Sequence, residues 1–217
     1  MLLAKLARYA WGVLVYNVFV IVFGAFVRAT GSGAGCGSHW PTCNGTMTPR
    51  GPAIETIIEF THRMSSGLTL VLILGLLVWT WRAYPKGSWL RWTSGAVFFF
   101  IILESLLGAG LVLFNLVQEN ASLIRAFSMM IHLVNTFMLL ASITLTAWFS
   151  TFGEPAEVEK NKIIRWLVVG GAIGLLVLGA SGSIAPIVTR PKGGEDAFLR
   201  IKLRACLKLQ NVSGNSG

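Results

Sequence analysis

Five stretches of this chain, about 10–28, 57–82, 93–117, 126–149 and 166–186, are long and apolar. Each is long enough to cross a bilayer, whose hydrocarbon core of about 30 Å takes roughly 20 residues of helix. No other feature constrains the fold so strongly. In lipid every backbone N–H and C=O must be satisfied within the protein, so such stretches become helices packed into a bundle. Composition agrees, with 54% hydrophobic and only 12% charged residues over 217 positions, too apolar for a soluble domain of that size. The expected fold class is an all-α integral membrane protein. The first stretch follows Lys5 and Arg8 and runs to Arg28 without a small-residue cleavage site, so it reads as a retained helix rather than a removed signal.

Lys and Arg collect on the cytoplasmic side of membrane helices. Lys5 and Arg8 precede the first stretch; Arg82, Lys86 and Arg91 fill the turn between the second and third, and Lys160, Lys162 and Arg165 that between the fourth and fifth. These segments are expected to be cytoplasmic, as is the N-terminus, in a multi-pass protein of the cell membrane. Segments 29–56 and 118–125 then face outward. A net charge of +9 could suggest nucleic acid, but the basic groups sit mostly at helix ends, where topology explains them.

The outward segment contains "TGSGAGCGSHWPTC", with Cys36 and Cys43. Thiols outside the cytoplasm oxidise, so the pair reads first as a disulfide staple, stabilising by roughly 2–3 kcal/mol in the chain-entropy model. A redox-active pair is the alternative, though its spacing is wider than that of most thiol oxidoreductases. A metal site lacks ligands, with only His39 nearby. His39 itself reads as a solvated loop residue.

Ionisable residues inside membrane helices are costly and mark function by default. In "IIEFTHRMSSG" Glu59 and His62 are three apart, on one helix face, with Arg63 next. "FSMMIHLVNTF" carries His132. At 1.5 Å per residue His62 lies ~13 Å into a helix starting near Ala53, and His132 ~9 Å into one starting near Ala126. Both helices enter from the outer side, so the two imidazoles can converge as a haem site. The competing reading is that each is merely hydrogen-bonded to a neighbouring helix. A di-iron bundle would need a second Glu-x-x-His and further carboxylates. Glu104, in "IILESLLGAG", reads first as a structural hydrogen-bonding group and second as a chemical one.

Taken in order, "GAFVRATGSGAGCGSHWPTCNG", "IEFTHRMSSG", "LLGAGLV" and "HLVNTFMLL" resemble the first half of the heme A synthase family, the resemblance covering about residues 10–186. It implies an eight-helix protein of two similar four-helix halves that oxidises the methyl group of heme O to the formyl group of heme A for cytochrome oxidase. By the same resemblance His62 and His132 flank the haem iron as axial ligands, and Glu59 is the acid that serves turnover, orienting an imidazole or relaying a proton. Cys36 and Cys43 are the loop pair that caps the haem cleft or passes electrons to it. Arg28 and Arg63, at the outer ends of the first two helices, are candidates to meet haem propionates, with snorkelling to the interface as the alternative. The partners implied are heme O and the synthase that supplies it, membrane lipid, cytochrome oxidase assembly factors and a second copy of the chain; nucleic acid is not among them.

The expected organisation is a four-helix haem-binding half at 1–150, then a cytoplasmic loop and fifth helix at 151–186, and a basic tail at 187–217. The fifth helix, "LLVLGASGSIAP", echoes "VIVFGAFVRATG" of the first, as though opening a second, incomplete repeat. After Pro186 no further span follows, and six basic groups fall on the outward side, which reads as a family member truncated in its second half. The three histidines are His39, His62 and His132, so the second histidine pair and the heme B cofactor that the resemblance implies for that half have no counterpart here. Three rivals stand beside the synthase reading: a bis-histidine membrane cytochrome that only moves electrons, a quinone-linked thiol oxidoreductase, and an inactive half-protein.

Overall fold

The computed structural model describes residues 2–46, 53–117 and 122–154, together with Trp166 and residues 169–171, 173, 174 and 177. Four long helices account for most of them: α1 Leu2–Thr30, α2 Ile54–Ala83, α3 Trp89–Leu113 and α4 Leu123–Phe152. All four are long and apolar enough to cross a membrane, and the described residues contain no strand beyond a bridge between Cys43 and Thr46. The all-α class and the four-helix arrangement are as expected. The fifth helix lies outside the described residues except at the isolated positions above, which are helical. The tail 187–217 lies wholly outside them.

The helices run past most of the boundaries read from hydropathy, because capping rather than greasiness ends them. Ser88 Oγ accepts the Arg91 N–H at 3.3 Å at the start of α3, and Ser122 Oγ accepts the Arg125 N–H at 3.3 Å at the start of α4, each satisfying one of the orphan donors of a first turn. α3 stops at Leu113, short of the expected 117. Asn115 turns left-handed there at φ 51°, and Leu116 N–H reaches back to Leu111 C=O at 2.8 Å, a helix-terminating pattern that Asn tolerates.

Packing joins α1 to α2, α2 to α3, α3 to α4 and α4 to α1. The helices thus form an up-and-down ring in which α2 and α4 stand on a diagonal. In α4, Asn135, Leu139, Ser142, Ile143, Thr146, Ala147 and Ser150 are buried, the spacing of one helical face. Two apolar layers fill the half of the bundle away from the cysteine loop: Val13, Ile73, Val97, Ile101, Leu139 and Ile143, then Leu6, Ala10, Leu76, Leu90 and Ala147. Large apolar side chains also point outward, with Val15 69%, Val71 63% and Phe99 61% exposed. Such a surface suits lipid and would be a liability in water.

The end away from the loop is closed by polar contacts. Trp11 Nε1–H donates to Thr151 Oγ1 at 2.9 Å, Thr80 Oγ1 donates to Ser94 Oγ at 2.8 Å, and Glu154 Oε1 accepts the Leu90 N–H at 2.9 Å. One half of the bundle is therefore a filled apolar core. The other half, toward the loop, holds the histidines.

Candidate functional site

The segment between α1 and α2 is docked on the first turns of α2. Cys36 and Cys43, both fully buried, are joined as a disulfide with the sulfurs 2.05 Å apart. Thr56 Oγ1 donates to Gly35 C=O at 2.7 Å, and Glu59 Oε2 accepts the Cys36 N–H at 2.8 Å. Gly35 is required by close approach, since a Cβ there would lie 2.5 Å from the backbone of Glu55.

Arg63 completes this clamp. Its Nε–H donates to Glu59 Oε1 at 3.1 Å, Nη2 pairs with the same oxygen, and Nη1 donates to His39 C=O at 2.6 Å and Thr42 C=O at 2.8 Å. Both carbonyls lie inside the ring that the disulfide closes. The guanidinium has five N–H groups, and these bonds use most of them. The structure thus places Glu59 and Arg63 on each other and on the loop, and shows no hydrogen bond from Glu59 to His62 among the described residues.

The two histidines sit deeper in the bundle. Counted from the observed helix starts, His62 is ~12 Å into α2 and His132 ~14 Å into α4 at 1.5 Å per residue. The extra turn at the start of α4 thus brings the two to within about 2 Å of one depth, with His132 now the deeper. Each ring is lodged against a glycine of the neighbouring helix. A Cβ on Gly24 of α1 would fall 3.0 Å from His62 Cε1 and 3.2 Å from Nε2, and one on Gly108 of α3 would fall 3.8 Å from His132 Cε1. Phe23 presents its ring at 5.8 Å to that of His62, edge to face. The Nδ1 atoms of both His62 and His132 are buried without a hydrogen-bond partner, an arrangement that ordinarily has a cause.

Glu104 joins His132. Its Oε2 accepts from Asn135 Nδ2 at 2.6 Å, its Oε1 accepts from Thr136 Oγ1, and Oε1 stands 3.5 Å from His132 Nε2. Asn135 Nδ2 also donates to Phe100 C=O at 2.9 Å. Arg28 is exposed at the loop end of α1, and His39 is exposed in the loop.

These groups fit a haem. Two imidazoles on diagonal helices, each beside a residue without a side chain and each with an orphaned ring nitrogen, are donor chemistry of the kind that haem iron takes. Gly24, Gly108, Asn135 and Thr136 were not singled out from the sequence. The signal for the last two was present, as polar residues one turn after an intramembrane histidine; a glycine in an apolar helix carries none until its neighbour is known.

A sequence model of the cytochrome oxidase assembly protein family matches residues 7–186. The chain is 50% identical over 184 residues to a protoheme IX farnesyltransferase of Thermus thermophilus, a match covering 85% of this chain and 30% of that protein. It is 41% identical over 129 residues to a heme A synthase of Alkalihalophilus pseudofirmus, covering 59% of this chain and 41% of that one. A heme A synthase of Exiguobacterium sibiricum is 32% identical over 167 residues, 76% of this chain and 55% of its own length. The chain thus spans from under a third to just over half of these relatives. The family match takes in all four helices, the clamped loop and both intramembrane histidines, and the chain belongs to the cytochrome oxidase assembly protein family.

Proposed function

We propose that this chain forms the haem-binding half of a heme A synthase, holding heme O between His62 and His132 while its methyl group is oxidised to the formyl group of heme A. The observation that carries this reading is that each of the two imidazoles lies against a glycine of a neighbouring helix and has a buried, unpartnered Nδ1. Bound heme O would supply both the iron that the imidazoles ligate and the carbon that is oxidised. His62 and His132 then hold the macrocycle across the bundle, and the filled apolar layers below keep it at the loop end. Glu59, the acid implied by the resemblance to serve turnover, acts in this reading through the clamp: it fixes Arg63 and the disulfide loop one helical turn from His62. The loop caps the cleft on the extracytoplasmic side, with the N-terminus cytoplasmic. Arg28, exposed at the same end, is the better placed of the two arginines to meet a propionate, since Arg63 is engaged by the clamp.

The farnesyl transfer named for the Thermus protein is not assigned to this chain. The chain spans 30% of that protein, and no group of three or more metal-ligating side chains that could hold a divalent cation occurs among the described residues. Farnesylation of protoheme does produce the heme O that the proposed reaction consumes, so a heme O synthase is the proposed supplying partner.

A second reading, a bis-histidine cytochrome that only transfers electrons, is favoured by one observation: the carboxylate expected beside His62 is bonded to the loop instead. One experiment separates them. The chain is expressed with a heme O source in cells lacking their own heme A synthase, purified, and its pigment extracted. Heme O or A bound through His62 and His132 is the expected result; haem B alone supports the cytochrome, and a colourless protein overturns both.

A further inference from the structure

We propose that Glu104 is the positioning residue of His132, a carboxylate held in place by α4 that fixes the turn of the imidazole against α3. This rests on the reading of His132 as a haem ligand. On α3, Glu104 and Gly108 are four residues apart and so share a face, and the His132 ring lies between them, 3.5 Å from the carboxylate and 3.8 Å from the space a Gly108 Cβ would take. The two residues that grip the carboxylate, Asn135 and Thr136, stand three and four positions after His132 on the same helix. Residues at that spacing form one patch. The carboxylate therefore cannot swing away from the ring without losing both of its donors.

Two further facts separate this from a bond that merely joins helices. Asn135 already ties α4 to α3 through Phe100 C=O at 2.9 Å, so the join does not require an acid, and an acid in a helix this apolar is costly. Among the described residues no carboxylate pairs with the other histidine: the His62 ring packs edge to face with Phe23 and against the glycine at 24. The two rings are thus unequal, His62 set by packing and His132 by a hydrogen-bonded carboxylate. Groups that orient a ligand in this way typically change affinity about 10–100-fold when removed.

The test uses the full chain purified without pigment in detergent and titrated with iron protoporphyrin IX. Glu104→Ala is expected to weaken binding about 10-fold or more and to alter the low-spin electron paramagnetic resonance signal. Glu104→Gln, which keeps the length and one accepting oxygen, falls between that variant and the parent, and the lipid-facing control Leu106→Ala matches the parent. Glu104→Ala with parental affinity and signal overturns the proposal. A second readout needs no haem: ring nitrogen-15 resonances of the histidines, assigned with His132→Gln. In Glu104→Ala the His132 signals shift and those of His62 stay; unmoved His132 signals overturn the proposal. If the parent takes up no porphyrin, the haem reading fails, and the nitrogen-15 readout still decides whether Glu104 sets the ring.

Discussion

Glu59 and Cys36 are bonded across 23 residues of sequence, the carboxylate Oε2 accepting the Cys36 backbone N–H at 2.8 Å. With Arg63 on the other oxygen, this contact turns a glycine-rich loop into a fixed cap on α2. The acid, the arginine and the disulfide thus hold the loop together.

Removing the acid should therefore loosen the cap before it affects the haem. Glu59→Ala leaves Arg63 and the Cys36 N–H short of a partner at a site where the Glu59 side chain is 4% exposed. Breaking a buried pair costs about 3–5 kcal/mol, and the carbonyls of His39 and Thr42 that stay on Arg63 favour the lower end. Denaturation in detergent should show a loss of about 3 kcal/mol, with Glu59→Gln losing less, while haem remains bound. Loss of haem from both variants at parental stability would place Glu59 at the macrocycle instead.

Gly24→Ala should push the His62 ring aside, because the new Cβ would meet it at 3.0 Å. A haem affinity lower by about 10-fold is expected, the size of effect seen when a ligand loses its orientation. Gly12→Ala, on the same helix with open space around it, is the control and should if anything stabilise α1. Equal affinities for the two variants would refute the close packing of His62 on α1.

Gly35→Ala meets backbone rather than a flexible side chain, at 2.5 Å from Glu55, so the loop has to lift. Overpacking of this kind costs about 1–3 kcal/mol. The Cys36 amide, released from Glu59, should exchange its hydrogen faster by mass-spectrometric hydrogen exchange; unchanged protection would mean that the loop is not docked as described.

Cys36 and Cys43 should resist alkylation in unreduced protein taken from membranes and both react after reduction. Cys43→Ser should cost roughly 2–3 kcal/mol in the chain-entropy model, and it should also loosen Arg63, whose two carbonyl acceptors lie within the closed ring. Two freely alkylated thiols would be inconsistent with the cap.

The sequence by itself determined the class and the inventory. Apolar stretches of membrane length leave the backbone no option but helix, and the rarity of ionisable residues inside them singled out Glu59, His62, Glu104 and His132 without any geometry. It could not decide which acid serves which group. Glu59 and His62 share a helix face by spacing, yet Arg63, also one turn from Glu59, is a cation with a fork of donors and wins the carboxylate, while His62 turns to the bare surface at Gly24 on another helix. Glu104 reads from the sequence as a hydrogen-bonding group, but its partners, Asn135 and Thr136, are 31 and 32 residues away, a pairing with no signature there. Pairings of that range depend on how α3 and α4 settle against each other, and side-chain reach across a helix interface is fixed only by packing, to which a one-dimensional spacing rule is blind.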